Sequence, residues 1–163
     1  MDIYVLRHGV ATERGAAGYR RDSDRPLTKE GDEKMHQIAE AMLGMELKFD
    51  LILSSPYTRA EQTARIVANE LDEEVTFTEA LIPDGSPISL IAEINDEKPQ
   101  RLLLVGHEPD LSRLISVLVT GGGDAVIDLK KGGLCKLTSD KLVFGQCATL
   151  NWLLTPKQLR SLR

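Results

Sequence analysis

Short unbroken apolar runs alternate along this chain with longer stretches in which apolar residues recur at helical spacing. Asp2-Ile3-Tyr4-Val5-Leu6, Leu51-Ile52-Leu53-Ser54 and Leu102-Leu103-Leu104-Val105 predict three short buried strands. Met35, Ile38, Ala39, Met42 and Leu43 share one face of a helix over 29–44, with Thr28 as its N-cap. Ala60, Thr63, Ala64, Val67 and Leu71 mark a helix over 56–71, with Ser55 as N-cap and Pro56 at the first helical position. Val75 and Phe77 alternate within a strand at 74–78, and a short helix is expected over 87–95. Leu111, Leu114, Ile115 and Leu118 define a further helix after His107-Glu108-Pro109. Residues 133–139 and 142–153 read as an antiparallel hairpin turning near Ser139-Asp140, and a short helix follows Pro156.

Alternating strands and helices predict an α/β protein. The expected architecture is a three-layer α/β/α sandwich. Its central sheet is mostly parallel, with helices on both faces and a late antiparallel hairpin. The 163 residues suit one domain over 1–163 with room for a sizeable core. No internal repeat, low-complexity tract or linker interrupts the pattern. The polar stretch at 10–27 is long for a loop in a compact domain, and loops of that length are usually functional or mobile.

Charge narrows the choice of partners. A net charge of −5 argues against a general binder of nucleic acid or anionic membrane, although a local basic pocket can still hold an anion. Cys135 and Cys147 make neither a disulfide framework nor a zinc site. The N-terminal apolar run is short, carries Asp2 and is followed by Arg7, which is unlike a secretory signal. A cytoplasmic location is expected, and a monomer.

Three strand ends carry the chemistry. Arg7-His8-Gly9 ends the first strand, where the glycine is expected to allow a sharp backbone turn. Ser55-Pro56-Tyr57-Thr58-Arg59 follows the second, and Gly106-His107-Glu108 the fourth. Parallel neighbours bring their carboxyl ends to one rim, where α/β proteins bind ligands. Two histidines and two arginines then converge on a site for a phosphoryl dianion, helped by helix N-termini near 56 and 109. A neutral imidazole attacks phosphorus, and guanidinium groups nearby keep it neutral by opposing the imidazolium form. His8 is the expected nucleophile, Arg7 and Arg59 the phosphate ligands, and His107 a further donor to the equatorial oxygens. The arginines and the histidine spacing argue against a metal site, and no cofactor is expected. His36, beside Met35, reads as a surface or boundary residue.

In this order, Arg7-His8-Gly9, Ser55-Pro56 with Arg59, and Gly106-His107 resemble the histidine phosphatase superfamily, which includes the phosphoglycerate mutases. Arg25-Pro26-Leu27-Thr28-x-x-Gly31 and Ser54-Ser55-Pro56-x-x-Arg59-Ala60-Glu61-Gln62-Thr63 are similar to its short branch, the SixA-type phosphohistidine phosphatases. The chain also lacks the large cap insertions of longer members. The resemblance implies that His8, Arg7, Arg59 and His107 are catalytic. It also implies that Arg7, Arg25, Arg59 and His107 bind the substrate phosphate.

Larger members take a leaving-group proton donor from a mid-chain loop. Asp84 in Pro83-Asp84-Gly85 is the candidate here, ahead of Glu79 and Glu108. An imidazole leaving group needs such an acid less than an alkoxide does. The expected activity is therefore metal-independent removal of phosphate from phosphohistidine in a phosphorelay protein, through a phosphohistidine intermediate. The alternatives are a broad-specificity phosphatase of small phosphate esters and a non-catalytic phosphoprotein-binding module.

Overall fold

The computed structural model describes residues 1–163. Strands β1 (Asp2–Arg7), β2 (Leu51–Ser54), β3 (Thr76–Phe77), β4 (Arg101–Gly106), β5 (Leu134–Ser139) and β6 (Ala148–Leu154) form one sheet in the order β3-β2-β4-β1-β5-β6. β1, β2, β3 and β4 run parallel, and β5 is antiparallel to both β1 and β6. β5 alone runs against the rest.

Alternation along each strand sends side chains to opposite faces. Tyr4, Leu6, Ile52, Leu103 and Val105 meet one apolar cluster; Ile3, Val5, Leu53, Leu102 and Leu104 meet the other. Helices α1 (Lys29–Gly44), α2 (Thr58–Leu71) and α5 (Pro156–Arg160) cover the first face through Met35, Ile38, Met42, Ala64, Val67 and Leu159. Helices α3 (Pro87–Glu97) and α4 (Asp110–Thr120) cover the second through Leu90, Ile94, Leu111, Ile115 and Leu118. Two covered faces explain why the strands read as continuous apolar runs. The result is the expected three-layer arrangement. No helix is long and apolar enough to cross a membrane.

Several boundaries differ from the sequence reading. α2 begins at Thr58, two residues later than expected, and Ser55 does not cap it; Tyr57 holds the N-cap position without a side-chain bond. β3 is reduced to two residues, and β6 begins only at Ala148, so the link from β5 is a long irregular loop rather than a tight turn near Ser139. Thr28 does cap α1, accepting from the Gly31 backbone N–H at 2.9 Å.

Candidate active site

β1 and β2 both pair with β4, so the three chemistry-bearing strand ends are immediate neighbours. The ladder continues past the strands: His8 N–H donates to Gly106 O at 3.1 Å, and Ser55 N–H to Val105 O at 3.0 Å. His8 and His107 leave adjacent strand ends with ring centroids 5.2 Å apart. Arg59 reaches them from the first turn of α2. A cavity of about 340 Å³ opens over this rim. Arg7, Arg14, Arg25, Arg59 and Lys131 line it together with His8 and His107, and Glu13 and Glu108 are its carboxylates. This local excess of cations sits on a protein whose net charge is −5.

The hydrogen bonds define the protonation of His8. Its Nδ1 lies 2.7 Å from the Gly9 carbonyl oxygen, which only accepts, so Nδ1 carries the proton. Nε2 then presents a lone pair, and it accepts from Arg59 Nε at 3.3 Å. Burial lowers the His8 pKa from 6.5 to about 3; the Gly9 bond opposes this, while His107, Arg59 and Arg7 add to it. The arginines contribute as expected, but removal from water is the larger cause. His107 is lowered to about 3 as well, again first by burial and then by Arg59. Both imidazoles are neutral at pH 7.

Arg59 is held on every guanidinium nitrogen. Nη1 donates to the Asp22 carbonyl at 2.8 Å and Nη2 to Asp22 Oδ2 at 3.0 Å. The Asp22 carboxylate also accepts from Arg25 Nε at 2.9 Å, and Arg14 Nε lies 3.6 Å from it. Burial pushes the Asp22 pKa up, but the hydrogen bonds from Arg25 and Arg59 outweigh this and leave it below its ordinary value. Arg25 Nη1 reaches the Thr12 carbonyl and Arg7 Nη1 the Leu129 carbonyl. Arg7 Nε and His107 Nδ1 are buried without a partner in the protein.

Backbone packing sets these positions. A Cβ on Gly9 would sit 2.6 Å from Met35 Cγ, and Gly9 is not among the positive-φ residues. Close approach to α1, rather than a sharp turn, is therefore what requires glycine beside His8. Gly9 N–H donates to Thr63 Oγ1 at 3.0 Å, and Leu27 N–H to Gln62 Oε1 at 2.8 Å. α2 thus anchors both the His8 segment and the segment bearing Arg25. Gly132 adopts a φ of 79°, a left-handed conformation that suits glycine, and its N–H donates to the Arg7 and His8 carbonyls at 3.0 and 3.2 Å. That contact brings Lys131 to the cavity wall.

Asp84 stands apart from this group. It lines a neighbouring, more apolar cavity of about 580 Å³, whose wall also includes His107. Its backbone N–H binds Asp110 Oδ2 at 2.7 Å. Glu108 is at the His8 cavity, but both its carboxylate oxygens are engaged by Ser112, through the backbone N–H at 2.8 Å and the hydroxyl. His36 is exposed beside Asp32. No three His, Cys, Asp or Glu side chains are gathered as a metal-holding group. Sequence reasoning missed Asp22 and Glu13. Asp22 lies three residues before Arg25 in a run of mixed charges, and only that proximity marked it.

Comparison with known proteins places these features in a family. The family model described as "Histidine phosphatase superfamily (branch 1)" matches residues 3–82, a stretch that contains Arg7, His8, Arg25 and Arg59. An uncharacterised protein of Picosynechococcus sp. is 37% identical over 85% of this chain and 86% of its own length. Phosphohistidine phosphatase SixA of Escherichia coli is 26% identical over 98% of this chain and 97% of its own length. A solved structure of the protein histidine phosphatase SixA complexed with tungstate superposes with a TM-score of 0.81 at 27% identity, covering 98% of this chain and 99% of that one. The matching family model, together with the full-length likeness to SixA in sequence and fold, shows that this chain belongs to the histidine phosphatase superfamily.

Proposed function

We propose that this protein is a phosphohistidine phosphatase acting on a phosphorylated histidine in a partner protein, through a phosphoenzyme on His8 and without a metal ion. The observation that carries this reading is the His8 ring. Its Nδ1–H is committed to the Gly9 carbonyl, and its Nε2 lone pair faces Arg59 in a cationic cavity. A neutral, oriented imidazole beside guanidinium donors is what attack on a phosphoryl dianion requires. The similarity to SixA and that relative's complex with tungstate, an oxyanion, support the same reading.

In the first step His8 Nε2 forms a bond to phosphorus, and the P–N bond to the substrate imidazole breaks. The leaving imidazole keeps the electron pair and takes a proton from solvent. Arg7, Arg25, Arg59 and His107 bind the phosphoryl oxygens as charge develops. Water then attacks the phosphorus of phospho-His8, phosphate departs, and Nε2 recovers its lone pair. A substrate imidazole leaves without an enzyme acid more readily than an alkoxide does. This favours a P–N substrate at a site where Asp84 lines the adjacent cavity and Glu108 is tied to Ser112. The exposed cationic rim suits an acidic protein surface around the phosphohistidine.

The test is a side-by-side assay, with chelator present, of a phosphorylated histidine-containing relay protein and common phosphate esters. Phosphate release from the relay protein, transient label on the enzyme and loss of both in His8→Ala are expected. Ready ester hydrolysis with an intact phosphohistidine would replace this substrate with a small-molecule one. Binding of the relay protein without any covalent label would reduce the protein to a binding module.

A further inference from the structure

Ser55 sits at the end of β2 with no exposed surface. Its position before Pro56 suggests a helix cap, yet α2 begins at Thr58 and takes nothing from the serine hydroxyl as a cap. The hydroxyl has two neighbours instead. Tyr57 N–H donates to Oγ at 3.2 Å, and His107 Nε2 lies 2.8 Å from Oγ.

These two contacts decide where the protons are. The backbone N–H occupies one acceptor position of Oγ, so the serine proton needs an acceptor. His107 Nε2 is the one atom bonded to Oγ that can accept it. In the opposite arrangement Nε2–H would donate to Oγ, and the serine proton would be buried with nothing to bind, a costly state. The buried Nδ1 would then carry a lone pair and no proton to donate. With Ser55 donating, Nε2 is bare and Nδ1 carries the proton of a neutral ring. That Nδ1 is buried on a residue only 3% exposed, without a protein partner, and the ring lies beside His8.

We propose that Ser55 is a positioning residue that holds His107 as its Nδ1–H tautomer, so that this N–H is a fixed donor to an oxyanion bound at His8. The donor role rests on the phosphatase reading; the tautomer stands without it. The two histidines thus have parallel designs. Each carries its proton on Nδ1, but His8 spends that proton on the Gly9 carbonyl and turns Nε2 to chemistry. His107 spends Nε2 on Ser55 and keeps its N–H for the ligand.

The experiment is ¹⁵N ring spectroscopy of histidine-labelled full-length protein at pH 7, with His107→Asn assigning the signals. Wild type should show His107 protonated at Nδ1 and bare at Nε2, and inorganic phosphate should shift the Nδ1–H signal. Ser55→Ala should mix the tautomers or reverse them and weaken the response to phosphate. In turnover, the same variant should lose between about tenfold and about a hundredfold in kcat. A wild-type His107 protonated at Nε2 would overturn the proposal. So would an unchanged Nδ1–H tautomer in a folded Ser55→Ala protein. Absence of phosphatase turnover in wild type, with the tautomer as described, would strike the functional reading instead.

Discussion

Asp22 grips Arg59 at two points, with its carbonyl 2.8 Å from Nη1 and its carboxylate 3.0 Å from Nη2. The same carboxylate holds Arg25, so one acidic side chain sets the positions of two guanidiniums in the cavity that His8 lines. Two opposing effects follow from removing it. The cavity becomes more positive, which favours a phosphoryl dianion; the arginines lose their fork, which costs transition-state alignment. Alignment should dominate, because small misplacements of binding groups cost catalysis heavily. Asp22→Ala should lower kcat between about tenfold and about a hundredfold, with a smaller change in KM. Steady-state kinetics beside a melting curve would check this, and an unchanged kcat in a folded variant would refute it.

Both site histidines have pKa values lowered to about 3, so they stay neutral in the folded protein while the unfolded chain binds protons below about pH 6.5. Between those limits the unfolded state holds more protons. Stability therefore rises with pH across this window and is lost as pH falls from about 6.5 toward about 3. Above the upper limit the two groups contribute no pH dependence. The expected result is a Tm that drops on acidification from pH 7 to pH 4, less steeply in His107→Asn than in wild type. Ring proton shifts of His8 and His107 should not titrate between pH 8 and pH 5. A midpoint near the ordinary histidine value at either ring would contradict the buried, neutral pair.

The core architecture was legible because both sheet faces are covered. Burial on both sides makes β1, β2 and β4 unbroken apolar runs, and their alternation with amphipathic helices implies the parallel order that joins Arg7-His8, Ser55 and His107. Arg59 was legible from its place just after a strand end. The role of Ser55 was not. A serine before a proline is ordinary helix-start chemistry, and nothing local distinguishes a cap from a hydroxyl aimed across the sheet at His107. Asp22 was hidden for another reason: polar loops have no periodicity to reveal which charge faces inward. Gln62 and Thr63 were part of a recognisable motif, but their purpose required the partners, Leu27 and Gly9, from distant parts of the chain.

Gly31 lies against the backbone of the segment that follows His8. A Cβ there would fall 2.0 Å from the Val10 carbonyl oxygen, and backbone cannot yield as a flexible side-chain tip can. The same segment forms a bridge from Ala11 to Leu27, and Thr28 N–H donates to Val10 O at 3.0 Å. Gly31→Ala should cost about 1–3 kcal/mol or more, as overpacking does, measured by urea unfolding. A variant as stable as wild type would show that α1 can move aside freely.

Thr63 offers the cleanest separation of fold from site. Its hydroxyl oxygen accepts from the Gly9 N–H at 3.0 Å, its O–H donates to the Arg59 carbonyl at 2.8 Å, and the residue has no exposed surface. Valine has nearly the same shape and no hydroxyl, so Thr63→Val leaves the packing intact and strands the Gly9 N–H. An unpaired buried donor costs about 1–3 kcal/mol. Part of that cost should be relieved by a shift of Gly9, whose carbonyl is the acceptor that orients His8 Nδ1. The expected outcome is a moderate loss of stability with a larger proportional loss of kcat, measured by denaturant unfolding and turnover on one sample. A loss of stability with full turnover would mean that His8 keeps its orientation without the link to α2.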